Sequence, residues 1–348
     1  MVNYSKHIIP ESATIRDALN RLNKLGTDLT LFIVDGNGKM TGTLTDGDIR
    51  RVLVKKTEID APITPVVFRN FRYLRQGQFS TVQMTEIRKK GIYLVPVLAK
   101  DGRIARIINL HHQRSLLPIE AVIMAGGDGR RLRPLTEKVP KPLLKVGDKP
   151  ILEHVIDRLV LYGIENITIT VNYLGSLIED YFGDGSHKSV SIKYIRETEP
   201  LGTAGSLALI KKFSGQPILL LNSDLLTTID YEDFYGEFEK TGVDLLVATL
   251  PYTVNLPYAV MEADHEKVTG FKEKPTFIYQ ANAGIYLMKP EVAGIIPRNG
   301  FFNATDLMDA LLKKGKKINY YPLYCYWLDI GNHQDFNKAQ EDIKHIKQ

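Results

Sequence analysis

From about residue 118 the chain alternates strand and helix, and this pattern narrows the fold more than any other feature of the sequence. Strands are read at Ala121–Met124, Ile167–Val171, Ser191–Ile195 and Pro217–Leu221. Between them lie helical stretches at Ile151–Tyr162, Leu174–Tyr181 and Ala204–Phe213. In the first helix Leu152, Val155, Ile156 and Leu159 share one face, with Glu153, Asp157 and Arg158 off it. Strands this continuously apolar are covered on both faces, so the alternation predicts a mostly parallel sheet between helical layers. Ligands of such sheets sit beyond the carboxyl ends of the strands.

The first strand leaves such an end into "GGDGRRLRPLTEKVPKPLLKVGDKPIL", Gly126–Leu152. Here Arg130, Arg131, Arg133, Lys138, Lys141 and Lys145 surround Gly126, Gly127 and Gly129. Two phosphate-binding fingerprints fail. A G-x-G-x-x-G started at Gly127 meets Leu132 in its last place, and G-x-x-x-x-G-K-[ST] does not occur. What remains is a glycine cluster that lets main-chain amides approach a ligand. Arg131 and Lys141 add full charges, and charge-assisted contacts to phosphate are about twice as strong as neutral ones.

Composition excludes several alternatives. No window approaches the roughly 18 apolar residues that span a bilayer. MVNYSKHIIPES lacks the apolar core and cleavage site of a signal peptide. The single cysteine, Cys325, rules out an internal disulfide framework and a cysteine-rich zinc site. A cytoplasmic location without membrane contact is expected. The net charge of +5 is modest, and the basic residues form no long tract with interleaved aromatics, so small phosphorylated ligands are expected rather than nucleic acid. The eight histidines show no metal-ligand spacing, and the adjacent His111–His112 are read as surface residues. Trp327 is read as core.

The first 117 residues are built differently. One passage reads as a short strand, a helix at Ile15–Leu25 capped by Ser12 or Thr14, and a strand at Leu29–Val34. A "DGNG" turn, a strand at Met40–Leu44 and a helix from about Asp46 follow. The order returns as helix, strand Tyr93–Val97, "KDGR" turn and strand Ile104–Ile108. An internal repeat of roughly 50–60 residues suggests paired modules. This part resembles a tandem CBS domain, an adenosine-nucleotide sensing module, through "GTLTDGDIRR" at Gly42–Arg51. The resemblance implies that Thr45 and Asp48 hold a nucleotide ribose, a carboxylate being able to accept from two vicinal hydroxyls. In the second copy "ARIINLHHQR" lacks the acid, so at most one good site is expected. The other reading is a degenerate module that only docks subunits.

Residues 118–348 resemble the sugar-nucleotide pyrophosphorylases, nucleotidyltransferases that join a nucleoside triphosphate to a sugar 1-phosphate. Gly126–Leu152 matches nearly every fixed place of the family signature GGxGxRLxPLTxxxPKPLLxVxxKPIL, with Arg130 where many members carry threonine. The resemblance implies a Rossmann-like, mixed but mostly parallel, GT-A-like α/β domain preceded by a small α/β CBS pair. It places Arg131, Lys141 and Asp224 in catalysis. Ala125, Gly126, Gly127, Gly129, Gly202 and Thr203 would line the nucleotide, and Asn172 would either bond the base or cap the helix after it. Tyr258, Glu273, Lys274, Asn282 and Gly284 would hold the sugar phosphate, with the Ala259 backbone beside them. Asp224 and Asp329 would bind Mg2+.

The implied reaction is attack by the sugar phosphate on the α-phosphorus with loss of pyrophosphate. "PLGTAGSL" looks most like members making GDP-sugars, so GTP is favoured over UTP, dTTP and CTP. The CBS fusion resembles guanylyltransferases of mannose, glucosamine or heptose 1-phosphates in bacterial surface-polysaccharide or nonulosonic-acid pathways. "DFNKAQEDIKHIKQ" reads as a helix with no hexapeptide repeats, so no fused acetyltransferase is expected. A homo-oligomer is expected. The rival reading is a non-catalytic nucleotide-sensing regulatory protein.

Overall fold

A computed structural model describes residues 4–346 apart from 27, 79 and 299. The chain forms two compact units, Met1–Pro118 with Leu161–Gly163, and Ile119–Val160 with Ile164–Gln348. No helix among the described residues is long and apolar enough to cross a membrane.

The first unit says its sentence twice. Its first half contains β1 (Ile8–Pro10), α1 (Ile15–Leu25), β2 (Thr30–Val34), β3 (Met40–Thr45) and α2 (Asp46–Val54). Its second half contains β4 (Leu74–Arg75), α3 (Thr81–Lys89), β5 (Leu94–Leu98) and β6 (Ile104–Asn109). In each half a parallel pair, β1 with β2 or β4 with β5, is followed by an antiparallel hairpin. Both hairpins carry an irregularity one step before the turn, at Ile33/Val34 and Val97/Leu98. The turns use side chains in the same way. Asp35 accepts from the amides of Asn37 and Lys39, and Asp101 from that of Arg103. Phe32 and Met40 meet Leu94, Leu98 and Ile107 in one apolar cluster that joins the halves. Of the two expected caps of α1, Thr14 is the one used; it forms a capping box with Asp17.

The second unit opens with β7 (Glu120–Ala125), followed by the short hairpin β8 (Lys145–Val146) and β9 (Lys149–Pro150). Next come α4 (Ile151–Leu161), β10 (Asn166–Val171), α5 (Gly175–Phe182), β11 (Ser191–Arg196), β12 (Ile218–Asn222) and β13 (Leu225–Thr227). Then follow α6 (Tyr231–Thr241), β14 (Leu245–Asn255), β15 (Val260–Asp264), β16 (Lys267–Lys272) and β17 (Thr276–Met288). The chain finishes with α7 (Ala304–Lys313), β18 (Ile318–Pro322), β19 (Trp327–Asp329) and α8 (His333–Asp342). The main sheet has the order β11-β10-β7-β12-β17-β14-β18. Strands β11, β10, β7 and β12 run parallel, β17 is antiparallel to both its neighbours, and β14 and β18 are parallel. The sheet is therefore mixed and mostly parallel. Buried Val122, Ile218, Leu220, Val247, Tyr286 and Leu307 belong to one core cluster around it.

One expected element is absent. In place of a helix over Ala204–Phe213 there is a single 3₁₀ stretch, Gly205–Leu209. Ala204 and Leu207 are buried as a helix face would be, but Ile210 is extended and packs with Phe213 against the sheet core. Ser214 then ties its amide to the Glu120 carboxylate at 2.9 Å. Packing overrides a propensity that is only a weak prior.

Candidate active site

Strand β7 is buried along most of its length and ends at Ala125, itself sealed beneath the loop. The chain must then turn where a ligand can approach, and the three glycines do this in different ways. Gly129 has φ +63, and a Cβ there would lie 3.0 Å from Thr136 Cγ2 and 3.2 Å from Lys141 Cβ. Thr136 Oγ1 donates to the Gly129 carbonyl at 2.9 Å and locks the turn. A Cβ on Gly126 would come within 3.0 Å of the Glu197 carboxylate, whereas Gly127 faces open space. Leu132, fully buried with Leu144, Val146, Ile151, Leu328 and Ile330, anchors the basic loop that follows.

Strand β12 lies beside β7 and brings Asn222, Ser223 and Asp224 to the same end of the sheet. Strand β13 then pairs antiparallel with β19, with Leu225 opposite Asp329. This register, and the Ile330 amide donating to the Asp224 carbonyl at 3.1 Å, sets Asp329 beside Asp224 although they are distant in sequence. Lys141 Nζ donates to Asp224 Oδ2; the side chains of the pair are only 12% and 18% exposed. Oδ1 of Asp224 and Oδ1 of Asp329 are both buried without a hydrogen-bond partner. Burial, then the negative charge of Asp224, pushes the Asp329 carboxyl up to about 6, while Lys141 and Arg131 act against the rise. Of two carboxylates sharing a low-dielectric place, one holds its proton more tightly unless a cation offsets the repulsion.

A cavity of about 460 Å³ opens over this cluster. Of the residues expected to meet ligand, it brings together Gly126, Gly127, Gly129, Arg131, Lys141, Gly202, Thr203 and Asp224. Gly202 has φ +79, and a Cβ there would fall 2.8 Å from the Phe302 carbonyl oxygen. Thr203 Oγ1 accepts from the Ala304 amide at 2.9 Å, so its loop is stapled to the start of α7. Asp329 is not in the lining and stands behind Asp224.

The remaining expected residues lie elsewhere. Asn172 follows β10 outside the cavity lining, and the cap position of α5 is taken by Leu174, so the capping alternative is not realised. Gly284, at φ +70, lies directly against Asn222; a Cβ there would be 2.5 Å from Asn222 Nδ2. Asn282 donates to the Tyr286 hydroxyl at 2.7 Å and accepts from the Gly284 amide at 2.9 Å. Tyr258, Glu273 and Lys274 sit on an exposed β-arm, outside the cavity lining, with Lys274 in a positive-φ conformation (φ 42). Trp327 is only partly buried and donates to the Ala283 carbonyl at 3.0 Å.

Several polar lining residues were not foreseen, among them Glu197, Asn222 and Asn303. Glu197 follows β11, is only 7% exposed, and accepts from the Leu201 amide at 3.3 Å. Burial pushes its carboxyl up from the usual carboxylate range. Its position at a strand's carboxyl end was the signal that could have found it. Asn303 caps α7, and its Oδ1 accepts from the Thr203 amide at 3.3 Å. No sequence spacing announces that contact.

In the first unit a second cavity, of about 610 Å³, is lined by Asp28, Thr43, Thr45, Arg72, Lys90 and His111, among others. Thr45 is thus part of the cavity wall. Asp48 is not in the lining; its carboxylate accepts from the Thr45 amide and hydroxyl and is ion-paired with Arg51. His111 is exposed, as read, and stacks on Tyr93 with ring centroids 4.0 Å apart at the cavity wall.

The sequence and the fold are similar to those of known proteins. A mannose-1-phosphate guanylyltransferase of Mycobacterium tuberculosis is 32% identical over 233 residues, covering 65% of this chain and 64% of that protein. Mannose-1-phosphate guanyltransferase beta-A of Xenopus laevis is 31% identical over 227 residues, covering 63% and 62%. The match thus spans somewhat less than two thirds of the length of these relatives. Among solved structures, a candidate glucose-1-phosphate thymidylyltransferase from Bacillus anthracis, bound to sucrose, superposes with a TM-score of 0.54 at 26% identity. It covers 66% of this chain and 97% of that one. A CBS domain model matches residues 5–55. The nucleotidyl transferase model matches residues 120–346, and the chain belongs to that family.

Proposed function

We propose that the chain transfers a nucleotidyl group from a nucleoside triphosphate to a sugar 1-phosphate, releasing pyrophosphate. The observation that carries this reading is the meeting of Lys141, Asp224 and Arg131 at the mouth of the glycine loop, with Asp329 beside Asp224 beneath it. The attacking phosphate oxygen is already anionic, so no covalent enzyme intermediate is needed. The work left for the protein is to bring two anions to a near-attack separation of about 3 Å and offset their repulsion. Gly126 and Gly127 offer bare main chain to the nucleotide, Arg131 faces the leaving phosphates, and Lys141 lies next to where the α-phosphate would sit.

The two unpartnered carboxylate oxygens suit a hard divalent cation such as Mg2+. Asp224 and Asp329 would hold it, and phosphate and water would complete its shell, since no cluster of three acidic, histidine or cysteine ligands occurs among the described residues. When bound, the ion supplies charge compensation at phosphate oxygens and makes the α-phosphorus more electrophilic.

GTP is the favoured donor. The relatives named above carry guanylyltransferase names. Glu197 adds a chemical reason, because a carboxylate on the cavity wall only accepts hydrogen bonds. Guanine presents adjacent donors on one edge, whereas the pyrimidines and adenine flank their donors with acceptors. The sugar-phosphate contacts are assigned to Tyr258, Glu273, Lys274, Asn282 and Gly284, and a nucleotide contact to Asn172. A tandem CBS module, residues 1–117, is assigned an adenine nucleotide in the cavity beside Thr45, where Arg72 and Lys90 supply the charge for phosphate.

The test is a matrix of the four triphosphates against hexose, hexosamine and heptose 1-phosphates with pyrophosphate release as the readout. Release with GTP and one sugar phosphate is expected. Silence across the matrix, with Mg2+ present, defeats the proposal. Calorimetry with AMP, ADP and ATP, alongside turnover in their presence, tests the first unit.

A further inference from the structure

A further cavity, of about 540 Å³, lies at the amino-terminal end of the main sheet, where Glu120, Asn166 and Ser191 open β7, β10 and β11 side by side. Side chains alternate along a strand, so Thr168 and Lys193 follow on the same face and also line it. No residue of this lining is shared with the cavity over Lys141 and Asp224. The opposite wall is the chain after Leu209, where the expected helix gives out. Ile210 is extended and packs with Phe213 on the sheet core, and Lys211, Lys212 and Ser214 line the cavity beside them.

Three lysines therefore meet one carboxylate here, and that carboxylate is engaged: Glu120 accepts from the Ser214 amide at 2.9 and 3.2 Å. The side chains of Lys193, Lys211 and Lys212 have no ion-pair or hydrogen-bond partner among the described residues. Lys149 and Lys188, by contrast, share Asp157. The main chain adds donors. The amides of Lys211, Lys212 and Phe213 make no hydrogen bond to any described residue, because the helical ladder that would use them is not formed. Such groups turn to water or to a ligand.

A concave surface carrying one sign of unpaired charge draws a counter-ion, and charge-assisted contacts to phosphate are the strong ones. The rest of the lining is neutral. Asn166, Thr168 and Ser191 offer both donors and acceptors, while Ile195, Ile210 and Phe213 offer apolar surface. A sugar ring presents this same mixture, hydroxyls at its edge and C–H groups on its face. The volume falls within the range of small-molecule sites, roughly 300–1,000 Å³, and is far larger than inorganic phosphate fills. We infer that this cavity binds a phosphorylated sugar, its phosphate among Lys193, Lys211 and Lys212 and its hydroxyls against Asn166, Thr168 and Ser191. The site is separate from the cavity proposed for nucleotidyl transfer and does not depend on that proposal.

The probes are glucose, mannose and glucosamine 6-phosphates, which lack the anomeric phosphate of the transfer reaction, with inorganic phosphate beside them. Titration calorimetry on the full-length chain, without triphosphate, should show saturable binding of at least one hexose 6-phosphate. The variant Lys193→Ala/Lys211→Ala/Lys212→Ala should bind it at least tenfold more weakly. Its far-ultraviolet circular dichroism should be unchanged, all three residues being exposed. Lys141→Ala, in the other cavity, and Lys240→Ala, an exposed lysine outside both linings, should bind as the natural chain does. Absence of binding by all three sugars, or full binding by the triple variant, overturns the inference. Equal weakening in Lys141→Ala moves the ligand to the other cavity and overturns it as well. Inorganic phosphate that binds as tightly as the sugars overturns the assignment of the ligand.

Discussion

Around the cavity at the end of β7 nearly every expected side chain is held by neighbours, while along the arm from Leu250 to Asn282 few are. Lys141 is pinned by Asp224, Thr136 by the Gly129 carbonyl, and Thr203 by the start of α7. Tyr258 is 77% exposed. Both regions belong to one unit, and both are assigned ligand contacts. The tasks proposed for them would account for the difference. Groups that offset phosphate charge work best when fixed in a low-dielectric place before the reaction begins. Groups that grip a sugar can be supplied by a segment that adapts when substrate arrives. Lys274 fits the second pattern and still carries a positive φ, a conformation that is uncommon for a long side chain and marks a constrained turn.

Several measurements would sharpen or break this contrast. The largest effect is expected in the cavity: Lys141→Ala or Asp224→Ala should lower kcat by roughly 10²–10³ or more, the scale of losing one preorganised charged or polar contact. Circular dichroism should be unchanged; full turnover in either variant would end the assignment. On the arm, Lys274→Ala should act mainly on binding, raising KM for the sugar 1-phosphate about tenfold, the equivalent of about 1.4 kcal/mol. It should leave Tm in place, because the residue is exposed; an equal fall in kcat would erase the contrast. Gly129→Ala should cost about 1–2 kcal/mol in urea unfolding, the penalty for placing a side chain in the left-handed region. It should also reduce activity, since the new Cβ meets Lys141 Cβ.

The smallest effect concerns Glu197. Burial raises its carboxyl above the unfolded value, so the folded state holds the proton more tightly. Its contribution is therefore present at low pH and is lost as pH rises through the folded value. Glu197→Gln should melt slightly above the natural chain at alkaline pH, with the gap closing on acidification, and should weaken the preference for GTP. A gap that widens on acidification would reverse the sign and refute the burial argument.

The contrast also explains what could be read in advance. Strand–helix alternation and the 27 places from Gly126 to Leu152 led to the parallel strands, the glycine turn and Lys141, because each is a local consequence of residue order. Thr14, one of two caps offered for α1, is likewise a local signal, whereas Thr45 and Asp48, expected at a nucleotide ribose, form the capping box of α2. The helix expected over Ala204–Phe213 failed because packing of Ile210 and Phe213 outweighed a local preference. Asn303 was missed because its neighbours in the site are far away in the chain and nothing at its own position encodes the meeting, whereas Glu197 was marked only by its place at the carboxyl end of β11.

By itself, the order of residues determined that this chain would form a repeated N-terminal module and an α/β unit with a glycine loop at the end of its first strand. Periodicity, turn chemistry and backbone freedom at glycine are local properties that act over a few residues. Only the tertiary structure decided that Asp224 and Asp329 would stand side by side with two oxygens left unpaired, since that rests on the register of β13 against β19. It also decided that the arm from Leu250 to Asn282 would hold no buried residue. Registers and coverage depend on long-range packing, and packing is a property of the folded whole.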